Sequence, residues 1–151
     1  MAVESAATAA LAAANDSCDS LKGYCMERLQ NFLVVGAGGA IGSCLRYAVG
    51  LWTQSRGWTA FPWATLIVNV VGCFLITFIF GLLTSSSNMR LFLTTGIMGG
   101  LTTYSTFDYE TTRFFQQGAP ASAFANIGLT LVVCFVAGWL GIALARTVMP
   151  D

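Results

Sequence analysis

Five consecutive hydroxyl side chains, Thr102, Thr103, Tyr104, Ser105 and Thr106, lie just beyond Gly99 and Gly100 and just before the carboxylate of Glu110. Tyr104, Phe107 and Glu110 recur every three residues, a spacing that places them on one stripe of a helix. Ser105 and Thr106 flank that stripe. Hydroxyls donate hydrogen bonds, and aromatic rings are electropositive at their edges. Together they suit a small anion that must shed its water. They do so without a fixed positive charge that would hold the anion too tightly, and permeation needs binding that both admits and releases.

Two further residues bear on such a path. Asn69, in LIVNVVG, is the one amide in a run of hydrocarbon. It either bonds to another helix or turns its NH₂ donor toward the path, and beside the hydroxyl run we place it on the path. Arg46, in SCLRYAVG, either snorkels to the headgroups or caps a vestibule where it raises the local anion concentration.

The backbone that carries the stripe invites a break. Gly99 and Gly100 are poor helix formers and Thr102 and Thr103 are β-branched. Threonine hydroxyls also bond locally to backbone. Unwinding near these residues exposes carbonyl oxygens at membrane depth. Such oxygens are tolerated where they are buried in protein, face water or bind a cation.

The setting is a bilayer. Of 151 residues, 56% are hydrophobic and 9% charged, too few charges to cover a soluble surface. Four long apolar blocks run over 31–52, 62–83, 91–115 and 121–145. Each is long enough for a hydrocarbon core about 30 Å thick. Strict alternation is absent, so helices rather than a barrel satisfy the backbone. The expected fold is an all-α membrane protein of four transmembrane helices, the third broken near its middle. Turn-type connections, TQSRGWTAF, TSSSNMR and QQGAP, make neighbouring helices antiparallel. The expected organisation is a tail over 1–30, disordered or interfacial, and a four-helix transmembrane domain over 31–151. The tail lacks the basic residues of a signal or transit peptide.

Charge does not choose an orientation. Lys22, Arg28, Arg90 and Arg146 fall on one side, and Arg46, Arg56 and Arg113 on the other. A cytoplasmic excess of Lys and Arg normally orients a membrane protein. Near-even division leaves two readings: another determinant sets the topology, or the chain inserts both ways and pairs as an antiparallel dimer. Gly38 with Gly42, and Gly96 with Gly100, form G-x-x-x-G pairs that let helices approach closely.

Several chemistries are disfavoured. The chain has no histidine and none of its five cysteines forms a C-x-x-C pair, which argues against zinc. Cys44, Cys73 and Cys134 read as small apolar packing residues. VVGAGGAIGS mimics a dinucleotide loop, but Ile41 stands where a third small residue belongs and no acidic partner follows. No nucleophile–base pair suggests an enzyme.

GAIGSCLRY, PWATLIVNVVGCF and GIMGGLTTYSTFDYE resemble, in order and spacing, the signatures of the Fluc/CrcB fluoride channels. The resemblance covers about 32–145. It implies a dual-topology, antiparallel homodimer in the plasma (cell inner) membrane that exports fluoride passively through two pores and holds a central structural sodium ion. By the same resemblance, the main-chain carbonyls of Gly99 and Thr102 hold the sodium. Asn69, Tyr104, Ser105, Thr106, Phe107 and Glu110 line the fluoride pore, and Arg46 sits at the vestibule. Two positions depart from the family pattern. Tyr104 replaces a usual phenylalanine, and the fourth helix offers Phe124 and Asn126 where a tyrosine and serines are usual, so no fourth-helix residue is assigned to the site. The expected partners are fluoride, the lipid bilayer and a second copy of the chain, with no nucleic acid among them.

Two alternatives are a scaffold without transport and a small four-helix proton-coupled multidrug exporter. The exporter relies on a carboxylate in its first helix, and residues 31–52 contain no Asp or Glu.

Overall fold

The computed structural model describes residues 2–82 and 87–149, and it is all-helical. Helix α1 spans Ala2–Ser55, α2 Trp63–Leu82, α3 Ser87–Leu91, α4 Gly99–Leu101, α5 Tyr104–Gln116 and α6 Pro120–Val148. A π-helical segment, Phe92–Met98, joins α3 to α4. Part of the connection TSSSNMR, residues 84–86, lies outside the described residues. Among these residues, three helical stretches are long and apolar enough to cross a membrane: Cys18–Ser55, Trp63–Leu82 and Pro120–Val148. The remaining apolar block is divided among shorter elements.

The chain forms two compact units, Met1–Leu33 and Val34–Asp151. In the first, the described side chains are almost all exposed, Leu21, Tyr24, Cys25 and Leu29 among them. Lys22 reaches Asp19 at 3.3 Å. The Arg28 guanidinium lies 4.5 Å from the Tyr24 ring centroid and donates to its hydroxyl.

In the second unit, the connections turn where glycine permits positive φ. Gly57 (φ 71°) lies between α1 and α2, and Gly118 (φ 70°) between α5 and α6. The Pro62 carbonyl accepts the Leu66 N–H at 3.1 Å and so opens α2. Proline suits a helix start, where its missing donor is not needed.

Helix directions follow from which residues meet. A Cβ added at Gly38 would stand 2.6 Å from the Phe92 carbonyl oxygen and 2.9 Å from the Gly96 Cα. One added at Gly42 would stand 2.8 Å from the Leu101 nitrogen and 3.0 Å from the Gly100 carbonyl carbon. The two G-x-x-x-G pairs therefore pack on each other, and α1 runs parallel to the Phe92–Leu101 stretch. Likewise Thr77 meets Gly138 and Gly141, and Gly81 meets Ala145, so α2 and α6 are parallel. Helix α5 is antiparallel to both: Thr65 meets Glu110 and Asn69 meets Thr103, while Thr111 meets Asn126. Val68, Met98 and Leu101 form the buried core, with Val49, Leu75, Ile76 and Ile97 packed around them.

Candidate functional site

The backbone between α4 and α5 leaves the helical conformation for two residues. Thr102 has φ −78°, ψ 154°, and Thr103 has φ −151°, ψ 118°. Two local causes are visible. The Thr102 hydroxyl donates to the Met98 carbonyl at 2.9 Å, an oxygen that also accepts the Thr102 N–H at 3.0 Å. The Thr103 hydroxyl accepts the Thr106 N–H at 3.2 Å and donates to the Thr106 hydroxyl at 2.9 Å, capping α5. A threonine N-cap satisfies one of the orphan donors of a helix start. The π-helical turns upstream place an unusual winding beside this break, a feature frequent at functional sites.

Asn69 braces the extended pair from α2. Its Nδ2 donates to the Thr103 carbonyl at 3.0 Å, and its Oδ1 accepts the Thr103 N–H at 2.8 Å. The Thr103 N–H is the donor that an unbroken helix would give to the Gly99 carbonyl. It is spent on Asn69 instead. The asparagine, 8% exposed, thus holds the backbone as well as facing the adjacent space.

That space is a cavity of about 630 Å³, walled by α2, the break, α5 and α6. Asn69, Thr102, Tyr104 and Phe107 all line it. The Tyr104 and Phe107 rings lie 5.6 Å apart at 49°. Phe107 is 7% exposed and Tyr104 76%, so the second ring is anchored in the protein and the first stands at the open side.

The other sequence-assigned residues are more dispersed. Ser105 is exposed, its oxygen 3.4 Å from that of Thr103. Thr106 is half-buried in the cap. Glu110 lies nearly two turns beyond Tyr104, where its Oε1 accepts from the Thr65 hydroxyl at 2.9 Å and its Oε2 is buried without a partner. It lines a second cavity of about 390 Å³ together with Arg113. Arg46 is half-exposed on α1 and lines neither cavity. Gly99 is exposed at the start of α4.

Helix α6 contributes what the sequence reading left unassigned. Asn126, 1% exposed, donates to the Thr111 hydroxyl at 2.8 Å. Thr130 lines the larger cavity, and its buried hydroxyl lacks a partner. A usable signal was present. Asn126 and Thr130 follow each other by one turn on α6, as Thr65 and Asn69 do on α2, and polar groups so placed in hydrocarbon imply a shared wet or bonded face. Phe124 faces Phe115 edge-on, with centroids 5.5 Å apart.

Comparison with known proteins places the sequence in a family. The family model described as CrcB-like protein, Camphor Resistance (CrcB), matches residues 33–142, beginning after the Ala-rich N-terminal stretch. A fluoride-specific ion channel FluC of Sorangium cellulosum is 43% identical over 122 residues, covering 78% of this chain and 96% of the relative. The protein of that name from Rhizobium meliloti is 43% identical over 125 residues, covering 80% and 100%. One from Agrobacterium fabrum is 44% identical over 120 residues, covering 77% and 96%. These relatives are channels, not enzymes. With its long apolar helices this chain is an integral membrane protein, and it belongs to the CrcB-like family.

Proposed function

We propose that this protein is a fluoride-selective channel that lets fluoride leave the cell passively and lowers its cytoplasmic level. The observation that carries the reading is the convergence of Asn69, Tyr104 and Phe107 on one cavity beside the unwound turn. The names of the relatives support the same ion. Fluoride moving along this face meets ring edges and hydroxyl protons in turn. Each replaces part of the lost hydration, and none carries a full charge that would trap the ion. Ser105, Thr106 and Glu110 continue the face of α5, and Arg46 serves as vestibule charge.

The working form is an antiparallel, dual-topology homodimer with two pores in the cell inner membrane. The near-even division of basic residues supports insertion both ways. The exposure of Tyr104 at the open side of the cavity supports a wall supplied by a second copy. The unwound spot breaks the third span within the membrane.

Sodium at this turn fits the donors present. A hard cation takes oxygen ligands, and the Gly99 carbonyl has lost its helical donor to Asn69. The carbonyls of Gly99 and Thr102 would hold the ion, which supplies a fixed positive charge that stabilises the extended backbone. Purified protein in fluoride-loaded liposomes tests the proposal: a fluoride electrode is expected to register rapid release above protein-free vesicles. Release no faster than from empty vesicles overturns it.

A further inference from the structure

Helices α2 and α6 lie side by side in a parallel register set by Thr77, whose hydroxyl bonds to the Gly138 carbonyl at 2.9 Å, 61 positions away. The same hydroxyl reaches the Cys73 carbonyl at 3.0 Å. A Cβ at Gly138 would lie 3.7 Å from that Cys73 oxygen. One turn back on both helices, the register pairs Cys73 with Cys134. Another turn back, it pairs Asn69 with Thr130. All six residues line the larger cavity.

Cys73 and Cys134 are free and only partly buried, and both border the same cavity from adjacent helices. The anion path described above uses neither sulfur. Two facing thiols on separate helices form a ligand pair, and thiolates select soft metals. No group of three or more His, Cys, Asp or Glu stands together among the described residues, so the four ligands that zinc requires are not assembled. The flanking hydroxyl of Thr77 is committed to carbonyl oxygens. What remains is a site for an ion content with two sulfurs. Charge narrows the choice further. The wall is largely apolar, and an uncompensated charge there is costly. Two thiolates around a divalent ion are neutral.

We propose that Cys73 and Cys134 form a two-sulfur site for a soft divalent cation of the mercuric type, set in the wall of the cavity that Asn69, Tyr104 and Phe107 share. Binding forms two metal–sulfur bonds and releases one proton from each thiol, with no change of oxidation state. The site itself is independent of which anion the cavity carries.

The test uses full-length protein with Cys18, Cys25 and Cys44 changed to serine, titrated with mercuric chloride. One bound mercury per chain is expected, with both thiols silenced at a single equivalent and a sulfur-to-mercury absorption band. Cys73→Ser and Cys134→Ser chains should each surrender mercury to a competing monothiol that the pair withstands. Uptake of two mercury ions per chain, thiols that stay reactive, or single-cysteine chains that hold mercury equally well would overturn the proposal. Fluoride efflux, compared in each chain with and without mercury, addresses the separate question of the path. Block only in the two-thiol chain supports the cavity as the route. Unimpaired efflux with one ion bound counts against that route and not against the thiol site.

Discussion

The side chain of Asn69 and the backbone of Thr103 form a reciprocal pair, amide to carbonyl at 3.0 Å and N–H to amide oxygen at 2.8 Å. A single residue of α2 thereby replaces the helical acceptor that the Thr103 N–H gives up. The pair joins three levels of organisation: two β-branched threonines leave the helix, a buried amide holds them there, and the cavity that results carries the aromatic stripe.

Asn69→Leu removes both bonds and strands the Thr103 N–H in a buried setting. Leaving a buried donor unsatisfied costs about 1–3 kcal/mol. We expect a lower unfolding temperature in detergent and fluoride efflux reduced at least roughly tenfold, the kinetic equivalent of about 1.4 kcal/mol. Phe107→Ala should reduce efflux comparably while the elution volume on gel filtration stays that of the unaltered protein. Undiminished efflux in either variant removes that residue from the path.

Asn126 and Thr111 should behave as a coupled pair. Asn126→Ala leaves the Thr111 hydroxyl without its donor. A cycle with Thr111→Val is expected to give a coupling energy of about 0.5–1 kcal/mol in thermal or denaturant unfolding. Strict additivity would mean that the 2.8 Å bond contributes nothing.

The two predictions differ in how far the sequence anticipates them. The all-helical membrane fold is legible in long apolar blocks with few charges and no strict alternation, and the candidate stripe on α5 in the three-residue spacing of Tyr104, Phe107 and Glu110. Asn69 is noticeable as a lone amide, but its bonds to Thr103 are not, because they depend on the antiparallel register of α2 and α5. Thr111 and Thr130 are inconspicuous for a related reason: one threonine in hydrocarbon carries little information until a neighbouring helix supplies its partner. Arg46 illustrates the converse. Its type suits a vestibule, yet Arg113 is the arginine beside Glu110 in the second cavity. Sequence spacing does not reveal which helix end carries which opening.

Gly42→Val tests the contact of α1 with the Phe92–Leu101 stretch. The added side chain would meet the Ile97 carbonyl and the Leu101 nitrogen, backbone atoms that cannot move aside as a flexible side chain would. Overpacking of this kind costs about 1–3 kcal/mol or more. The expected result is a low yield of folded protein and a reduced unfolding temperature. Gly36→Ala, where a Cβ meets nothing within 4 Å, is the control.

Sodium removal tests the unwound turn. An ion that binds only the folded state stabilises it by about 2.7 kcal/mol at 100 times its dissociation constant. The unfolding temperature should therefore rise with sodium concentration and stay flat with an equal concentration of a bulky organic cation. Identical melting curves in the two salts would exclude sodium from the Gly99–Thr102 carbonyls.

The most direct measurement is paired efflux from one preparation of liposomes loaded with equal fluoride and chloride, each followed by its own ion-selective electrode. The account requires fast fluoride release with chloride retained, because small donors and ring rims along α5 compensate dehydration of the smaller ion alone. Chloride escaping at a comparable rate, or neither ion escaping, would contradict it.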